Sequence, residues 1–152
     1  TGDASIGAAI EEVRLQRRAA PTADAVATAE HDGQQTGATM GQRAAARRVA
    51  RAGADTSSHA LTWVQALRIG DVALVGVPGE LLVRLGLDIK RRSPFGQTMV
   101  LELANDSIGY LPDLRAFEEG GYEPEASVFQ PGVGEQIADA AVALLDDLHA
   151  QA

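Results

Sequence analysis

The stretch that decides the fold is LRIGDVALVGVPGELLVRLGLDIKRR, residues 67–92. It begins inside the first of two β-type runs, Thr62–Ile69 and Val72–Val77, which are separated only by Gly70-Asp71. A two-residue link that contains glycine is typical of the turn of a β-hairpin. The sequence therefore predicts two antiparallel strands joined by a tight turn.

A helix is predicted after the second strand. Pro78-Gly79-Glu80 ends that strand, and leucines and an isoleucine at helical spacing continue to about Arg91. A further strand is predicted over Thr98–Leu103 and a last helix over Gly134–Ala150. This order predicts an α/β protein, with a layered sheet flanked by helices.

The first sixty residues contain few large apolar side chains. Ile10, Val13 and Leu15 could line one face of a short helix before Pro21. The remaining predictions for this part are a loop at His31-Asp32-Gly33, a loop at Thr36-Gly37, and a helix over Gln42–Ala52 that ends at Gly53. We therefore expect one segment, helical or looped over 1–60 and α/β over 61–152, whose fold is completed by another polypeptide.

Composition excludes several function classes. A formal net charge of −8 argues against a nucleic-acid partner, because phosphate binding needs a basic surface. The absence of cysteine excludes disulfides and thiolate chemistry in this chain. The longest apolar run, Val72–Pro78, is the size of a strand, so we expect no membrane span.

Three segments contain candidates for chemistry. Glu80 follows Pro-Gly at the end of an apolar strand, where turns commonly hold ligand-binding groups, although a glutamate in the first turn of a helix can also simply favour the helix dipole. The long segment Asn105–Glu123 contains Tyr110 and Tyr122. The chain opens with Thr1-Gly2-Asp3-Ala4-Ser5, a pattern also frequent in turns and helix caps.

Taken together, these segments resemble the neutral/alkaline non-lysosomal ceramidases, over the C-terminal part of their catalytic domain. The resemblance covers residues 62–148 in detail, and residues 1–60 only through the opening Gly-Asp-x-Ser. The motifs that carry it are Gly2-Asp3-Ala4-Ser5, Pro78-Gly79-Glu80, Asn105 to Tyr110, and Tyr122-Glu123.

The resemblance implies a zinc amidohydrolase. It implies that Glu80 and Tyr110 bind zinc, that the Tyr122 hydroxyl polarises the substrate carbonyl, and that Ser5 lies at the reaction centre. The implied substrate is a small N-acyl amide, and the implied location is secreted or periplasmic.

The resemblance also implies a partner. The family holds its zinc with two further histidines from the N-terminal half, whereas this chain has only His31, His59 and His149, none in a His-x-His arrangement. We therefore expect the N-terminal half of the same precursor, as a second chain, to supply them.

Two alternatives remain open. Thr1 could be a nucleophile exposed by self-cleavage, with its own α-amino group as base, which would make this chain the small subunit of a processed amidohydrolase. The other alternative is a non-catalytic subunit that only completes a partner's fold. It predicts that Glu80, Tyr110 and Tyr122 lie apart, whereas the enzyme hypotheses predict that they converge.

Overall fold

The computed structural model describes residues 5–151 and divides into two compact units. The first contains the described residues up to Gln16 and those from His59 onward, and the second is Arg17–Ser58. Among the described residues, no helix has both the length and the apolar character needed to cross a membrane.

A four-stranded sheet in the order β1-β2-β3-β5 organises the first unit. Its strands are β1 (Ile6–Gln16), β2 (His59–Ile69), β3 (Val72–Gly76) and β5 (Gln97–Leu101). The first three are antiparallel neighbours, and β5 joins β3 in parallel. The predicted hairpin is confirmed, and Gly70 in its turn has a φ of 59°, a conformation that glycine adopts without strain.

Helices cover one face of this sheet. Helix α6 (Val133–Ala150) packs against β1 and β2, and α3 (Val83–Arg92) packs against β5 and α6. The inward side chains of the strands, among them Leu15, Val64 and Val75, are fully buried in the core. The predicted fold class, α/β with a sheet flanked by helices, is confirmed; its completion by another polypeptide stays a prediction.

A second, two-stranded sheet lies beyond the end of β3. It pairs β4 (Glu80–Leu81) with β6 (Tyr110–Leu111) in parallel. The two short helices α4 (Leu114–Glu119) and α5 (Tyr122–Ala126) follow β6.

The predicted helix around Ile10, Val13 and Leu15 is wrong. These residues belong to β1, which pairs with β2 along its whole length. Val13 and Leu15 are buried while Ile10 is exposed on the other face, which is the two-residue alternation of a strand. The partner strand lies more than forty residues away in sequence, from His59 onward, so the pairing cannot be read locally.

The second unit is a pair of helices, α1 (Ala23–Gln34) and α2 (Met40–Ala54). The predicted helix over Gln42–Ala52 and the predicted loop at Thr36-Gly37 are confirmed. His31-Asp32-Gly33 is helical, not loop, and α2 continues through Gly53 to Ala54 instead of ending at Gly53. A Cβ on Gly33 would lie 2.6 Å from the Cβ of Ala46. This glycine is therefore needed for the close approach of the two helices, and it does not end α1.

Two other boundaries differ from the sequence prediction. Strand β5 ends at Leu101 instead of Leu103, because Leu103 takes a φ of 52°, outside the extended region. Glu80 is followed by Leu81 and Leu82 before α3 begins at Val83. The alternative in which Glu80 sits in the first turn of that helix is therefore wrong.

Candidate functional site

Glu80 is held where the main chain of residues 77–80 packs against the loop that follows β5. The Glu80 N–H donates to the Gly109 carbonyl at 2.9 Å, and the Ile108 N–H donates to the Pro78 carbonyl at 3.0 Å. A Cβ on Gly79 would lie 2.4 Å from the Gly109 carbonyl oxygen. Glycine is thus required at position 79 because two backbone segments meet there.

We expect Gly79→Ala to lower the free energy of unfolding by about 1–3 kcal/mol, because the added methyl group meets backbone that cannot rotate away. Gly86→Ala is the matched control, since nothing lies within 4 Å of that position on α3. The control should be neutral or stabilising by about 0.5–1 kcal/mol, because alanine favours helix. Denaturant unfolding measures both, and equal stability of the two variants would contradict the close packing at Gly79.

Tyr110 is placed directly beside Glu80. The two residues are register partners in the parallel pairing of β4 with β6. The backbone of Tyr110 is also fixed by Ser127, a buried serine whose hydroxyl donates to the Tyr110 carbonyl at 3.0 Å. The same hydroxyl accepts the Phe129 N–H at 3.3 Å. Tyr110 is therefore held from both sides, by β4 and by the segment after α5.

Tyr122 completes the group at the first residue of α5. Gly120 and Gly121, with φ values of 75° and 123°, turn the chain so that α5 begins there. The Tyr122 ring meets the Tyr110 ring edge to face, with centroids 5.7 Å apart, an arrangement that aromatic pairs prefer. Glu80, Tyr110 and Tyr122 thus lie together, as the enzyme hypotheses predict and the non-catalytic hypothesis does not.

The carboxylates shape the electrostatics of this group. Loss of hydration raises the pKa of the Tyr110 hydroxyl above its ordinary value, and the negative charge of Glu80 and a hydrogen bond to its carboxylate raise it further. Burial also raises the pKa of the Glu102 carboxyl, with a smaller contribution from Glu80. At neutral pH the Tyr110 hydroxyl is therefore protonated and donates to the Glu80 carboxylate.

The described residues meet only part of the requirement for a zinc site. Carboxylate oxygen is a common zinc ligand. A catalytic zinc ion has three protein ligands and a fourth coordination position for water or substrate. Within residues 5–151, no group of three or more histidine, cysteine, aspartate or glutamate side chains could hold a metal ion. Glu80 and Tyr110 therefore fit as part of a donor set that further ligands must complete.

The other predicted candidates lie elsewhere. The Ser5 carbonyl accepts the Gly70 N–H at 2.8 Å, so Ser5 lies at the hairpin end of the sheet. Glu80 follows the opposite end of β3, and β3 alone spans roughly 13 Å between those ends. The structure does not bring Ser5 to the other three residues. Thr1 lies outside the described residues, so its role stays a prediction.

Each of the three histidines has a described contact with another residue. His31 hydrogen-bonds Gln35 within the second unit, and His59 pairs with Gln16 and contacts Arg14. The His149 ring, in the last turn of α6, lies edge to face against the Phe95 ring with centroids 5.3 Å apart. None of these contacts brings a histidine to the Glu80–Tyr110 pair.

Sequence reasoning missed two residues of this neighbourhood, Glu102 and Ser127. Glu102 directly follows β5, and β5 is the parallel neighbour of the strand that leads to Glu80. The ends of parallel neighbouring strands meet at one edge of a sheet. The presence of Glu80 after β3 and of Glu102 after β5 could therefore have predicted that these two glutamates lie near one another. Ser127 gives no such signal, because its role depends on a hydrogen bond to a residue seventeen positions away.

Comparison with solved structures finds ceramidases. The neutral ceramidase from Pseudomonas aeruginosa is similar over 97% of this chain, with a TM-score of 0.65 and 15% sequence identity. A ceramidase complexed with C2 is similar over 60% of this chain, with a TM-score of 0.56 and 20% identity. This chain spans 29% and 15% of the lengths of those two proteins. No family model matches the chain, and no curated protein matches it either. What these likenesses establish is a fold that the chain shares with these two ceramidases.

Proposed function

We propose that this chain is the C-terminal part of a ceramidase-like hydrolase of carbon–nitrogen amide bonds. The observation that carries the proposal is the pairing of Glu80 with Tyr110 across β4 and β6, with the Tyr122 ring against Tyr110. An anionic oxygen and two phenols are gathered there from three separate segments. The likeness in fold to a neutral ceramidase supports the same proposal by analogy of fold.

The reaction adds water across an amide and yields a carboxylic acid and an amine. Glu80 and Tyr110 would hold zinc, and a zinc ion there supplies Lewis-acid polarisation of the amide carbonyl. Glu80 contributes the negative charge that favours a cation. The Tyr122 hydroxyl would donate a hydrogen bond to the amide oxygen as negative charge grows on it, which lowers the barrier more than it stabilises the bound substrate.

Tyr122→Phe should therefore lower kcat by about 10²–10³-fold, equal to about 2.7–4 kcal/mol of transition-state stabilisation. The substitution keeps the ring, and with it the contact with Tyr110, so zinc content should not change. Steady-state kinetics on an N-acyl amide, with metal analysis of the same preparation, checks both. A Tyr122→Phe variant with the kcat of the wild-type protein would show that the Tyr122 hydroxyl takes no part in the reaction.

The proposal as a whole is tested on the protein produced from its full-length gene. Its metal content is measured, and amine release is followed from N-acyl amides of increasing acyl length. We expect zinc in the purified protein and amine release that chelation abolishes. A zinc-loaded protein that releases no amine from any member of the series would contradict the proposed reaction.

The processed-subunit alternative has its own signature in the same preparation. Intact mass analysis would find two chains, one of them beginning at Thr1, if self-cleavage occurs. Thr1→Ala would then block cleavage or activity while leaving the Glu80–Tyr110 pair intact. A single uncut chain with full activity would remove Thr1 from the mechanism.

A further inference from the structure

The side of the main sheet opposite α3 and α6 carries many exposed apolar side chains, with the polar side chains of Glu12, Arg14, Gln65 and Gln97 among them. We call it the open sheet face and define it by the outward side chains of β1, β2, β3 and β5. The strand register aligns them in rows, of which the central one is Ala8, Leu67, Leu74 and Met99. The large apolar side chains of this face that are exposed are Ile6, Ile10, Leu61, Trp63, Leu67, Ile69, Met99 and Leu101.

The part of this face on β2 is mostly apolar although it is exposed. The inward side of β2 is buried against α6, yet its outward side presents Leu61, Trp63, Leu67 and Ile69, each at least 44% exposed. Strands that are apolar on both sides are typical of sheets covered on both faces. From strand spacing and rise, the open sheet face covers roughly 500 Å² with its polar positions included, and an apolar patch of most of that area often marks an interaction site.

We propose that the open sheet face is the docking surface for the additional polypeptide of a ceramidase-like precursor, which packs an apolar layer of its own against it. This inference rests on the proposed function and names the surface through which the partner is held. Sheets are stable when each apolar face packs against another layer, and within the described residues of the first unit only the side facing α3 and α6 packs against helices.

Two observations favour this occupant over a second copy of the chain. The chain is similar over 97% of its length to a protein of which it spans only 29%, so that structural neighbour carries much more polypeptide around this segment. The Glu80–Tyr110 pair also lacks the further ligands that zinc requires among the described residues. A second layer from the same precursor accounts for both, whereas an identical copy does not account for the additional polypeptide of that neighbour.

Cysteine labelling of the full-length protein tests the proposal, since residues 1–152 contain no cysteine of their own. Met99→Cys and Leu67→Cys are placed on the open sheet face, and Asp146→Cys, at an exposed position of α6, is the control. Maleimide labelling of each is compared under native and denaturing conditions. We expect native labelling of the first two to be at least about tenfold slower than that of the control, because it requires local opening.

The oligomeric state separates the occupants. Protection in a protein that light scattering shows to be monomeric at the labelling concentration supports the proposal. Protection that disappears on dilution to monomers would assign the face to a second copy and overturn it, as would labelling as fast as at the control. Circular dichroism identifies a variant that fails to fold, and the other face variant then decides.

The outcome is independent of the proposed reaction, because labelling needs neither zinc nor substrate. Protected positions in a protein without zinc or amide hydrolysis would preserve the docking surface and contradict the function. Freely labelled positions in an active zinc protein would contradict the docking surface and preserve the proposed function. Metal analysis and amine release on the same preparations therefore distinguish the two failures.

Discussion

Glu80→Ala in the full-length protein is expected to abolish zinc binding and, with it, amide hydrolysis. Glu80 is the carboxylate beside Tyr110, and its charge adds to the loss of hydration that mainly raises the pKa of both Tyr110 and Glu102. Losing it removes the anionic member of the proposed donor set. The loss of metal affinity should exceed the about 10–100-fold that changes to residues supporting a ligand typically cost. Metal analysis after dialysis, together with amine release, measures the effect.

The matched control for this prediction is Glu118→Ala. Glu118 is an exposed glutamate of α4, in the segment between the two tyrosines. The Glu118→Ala substitution removes one negative charge, as Glu80→Ala does, but leaves the proposed zinc ligands in place. Zinc content and activity should therefore stay at wild-type levels. Stoichiometric zinc and full activity in Glu80→Ala would refute the assignment of Glu80 as a ligand.

Phe129→Ala is expected to lower the free energy of unfolding by about 3–5 kcal/mol. Phe129 is fully buried in the core of the first unit, so removing its ring leaves a cavity there. Its N–H also donates to the Ser127 hydroxyl that fixes Tyr110. We therefore expect the substitution to loosen the placement of Tyr110 as well as to destabilise the fold.

Chemical denaturation measures the loss, and Leu87→Ala is the control. Leu87 is 60% exposed on α3, and alanine is a good helix former, so its removal should change stability by no more than about 0.5 kcal/mol. A Phe129→Ala protein as stable as this control would mean that the core around residue 129 is not packed as described.

Elements whose signal is local were predicted from the sequence. Gly70-Asp71 between two β-type runs gave the hairpin, and the helical spacing of Ile137, Leu144 and Leu148 gave α6. In both cases the residues that decide the structure lie within a few positions of one another. The helix α2 was predicted for the same reason, from the alanine and arginine content of Gln42–Ala52.

Strand β1 could not be predicted in this way. Its small residues and its widely spaced apolar positions fit a short helix as well as a strand, and the pairing with β2 decides between them. That partner is separated from β1 by the whole of the second unit. Tertiary pairing therefore overrides a weak local preference, which is usual for strands.

The candidate site was only partly accessible to sequence reasoning. The meeting of Glu80 with Tyr110 was expected from the resemblance, and the structure now gives its physical basis in the parallel pairing of β4 with β6. A two-residue strand has too short a pattern to be recognised in a sequence. Ser5 shows the opposite case, since its motif suggests the reaction centre while the fold places it at the far end of the sheet.

The most direct test of the central claim is anomalous diffraction at the zinc absorption edge from crystals of the full-length protein. We predict one strong peak within about 2.0–2.2 Å of a Glu80 carboxylate oxygen and at bonding distance from the Tyr110 hydroxyl, with the remaining ligands outside this chain. A zinc peak bound to other residues, or no peak at the Glu80–Tyr110 pair in a protein that hydrolyses amides, would contradict the claim.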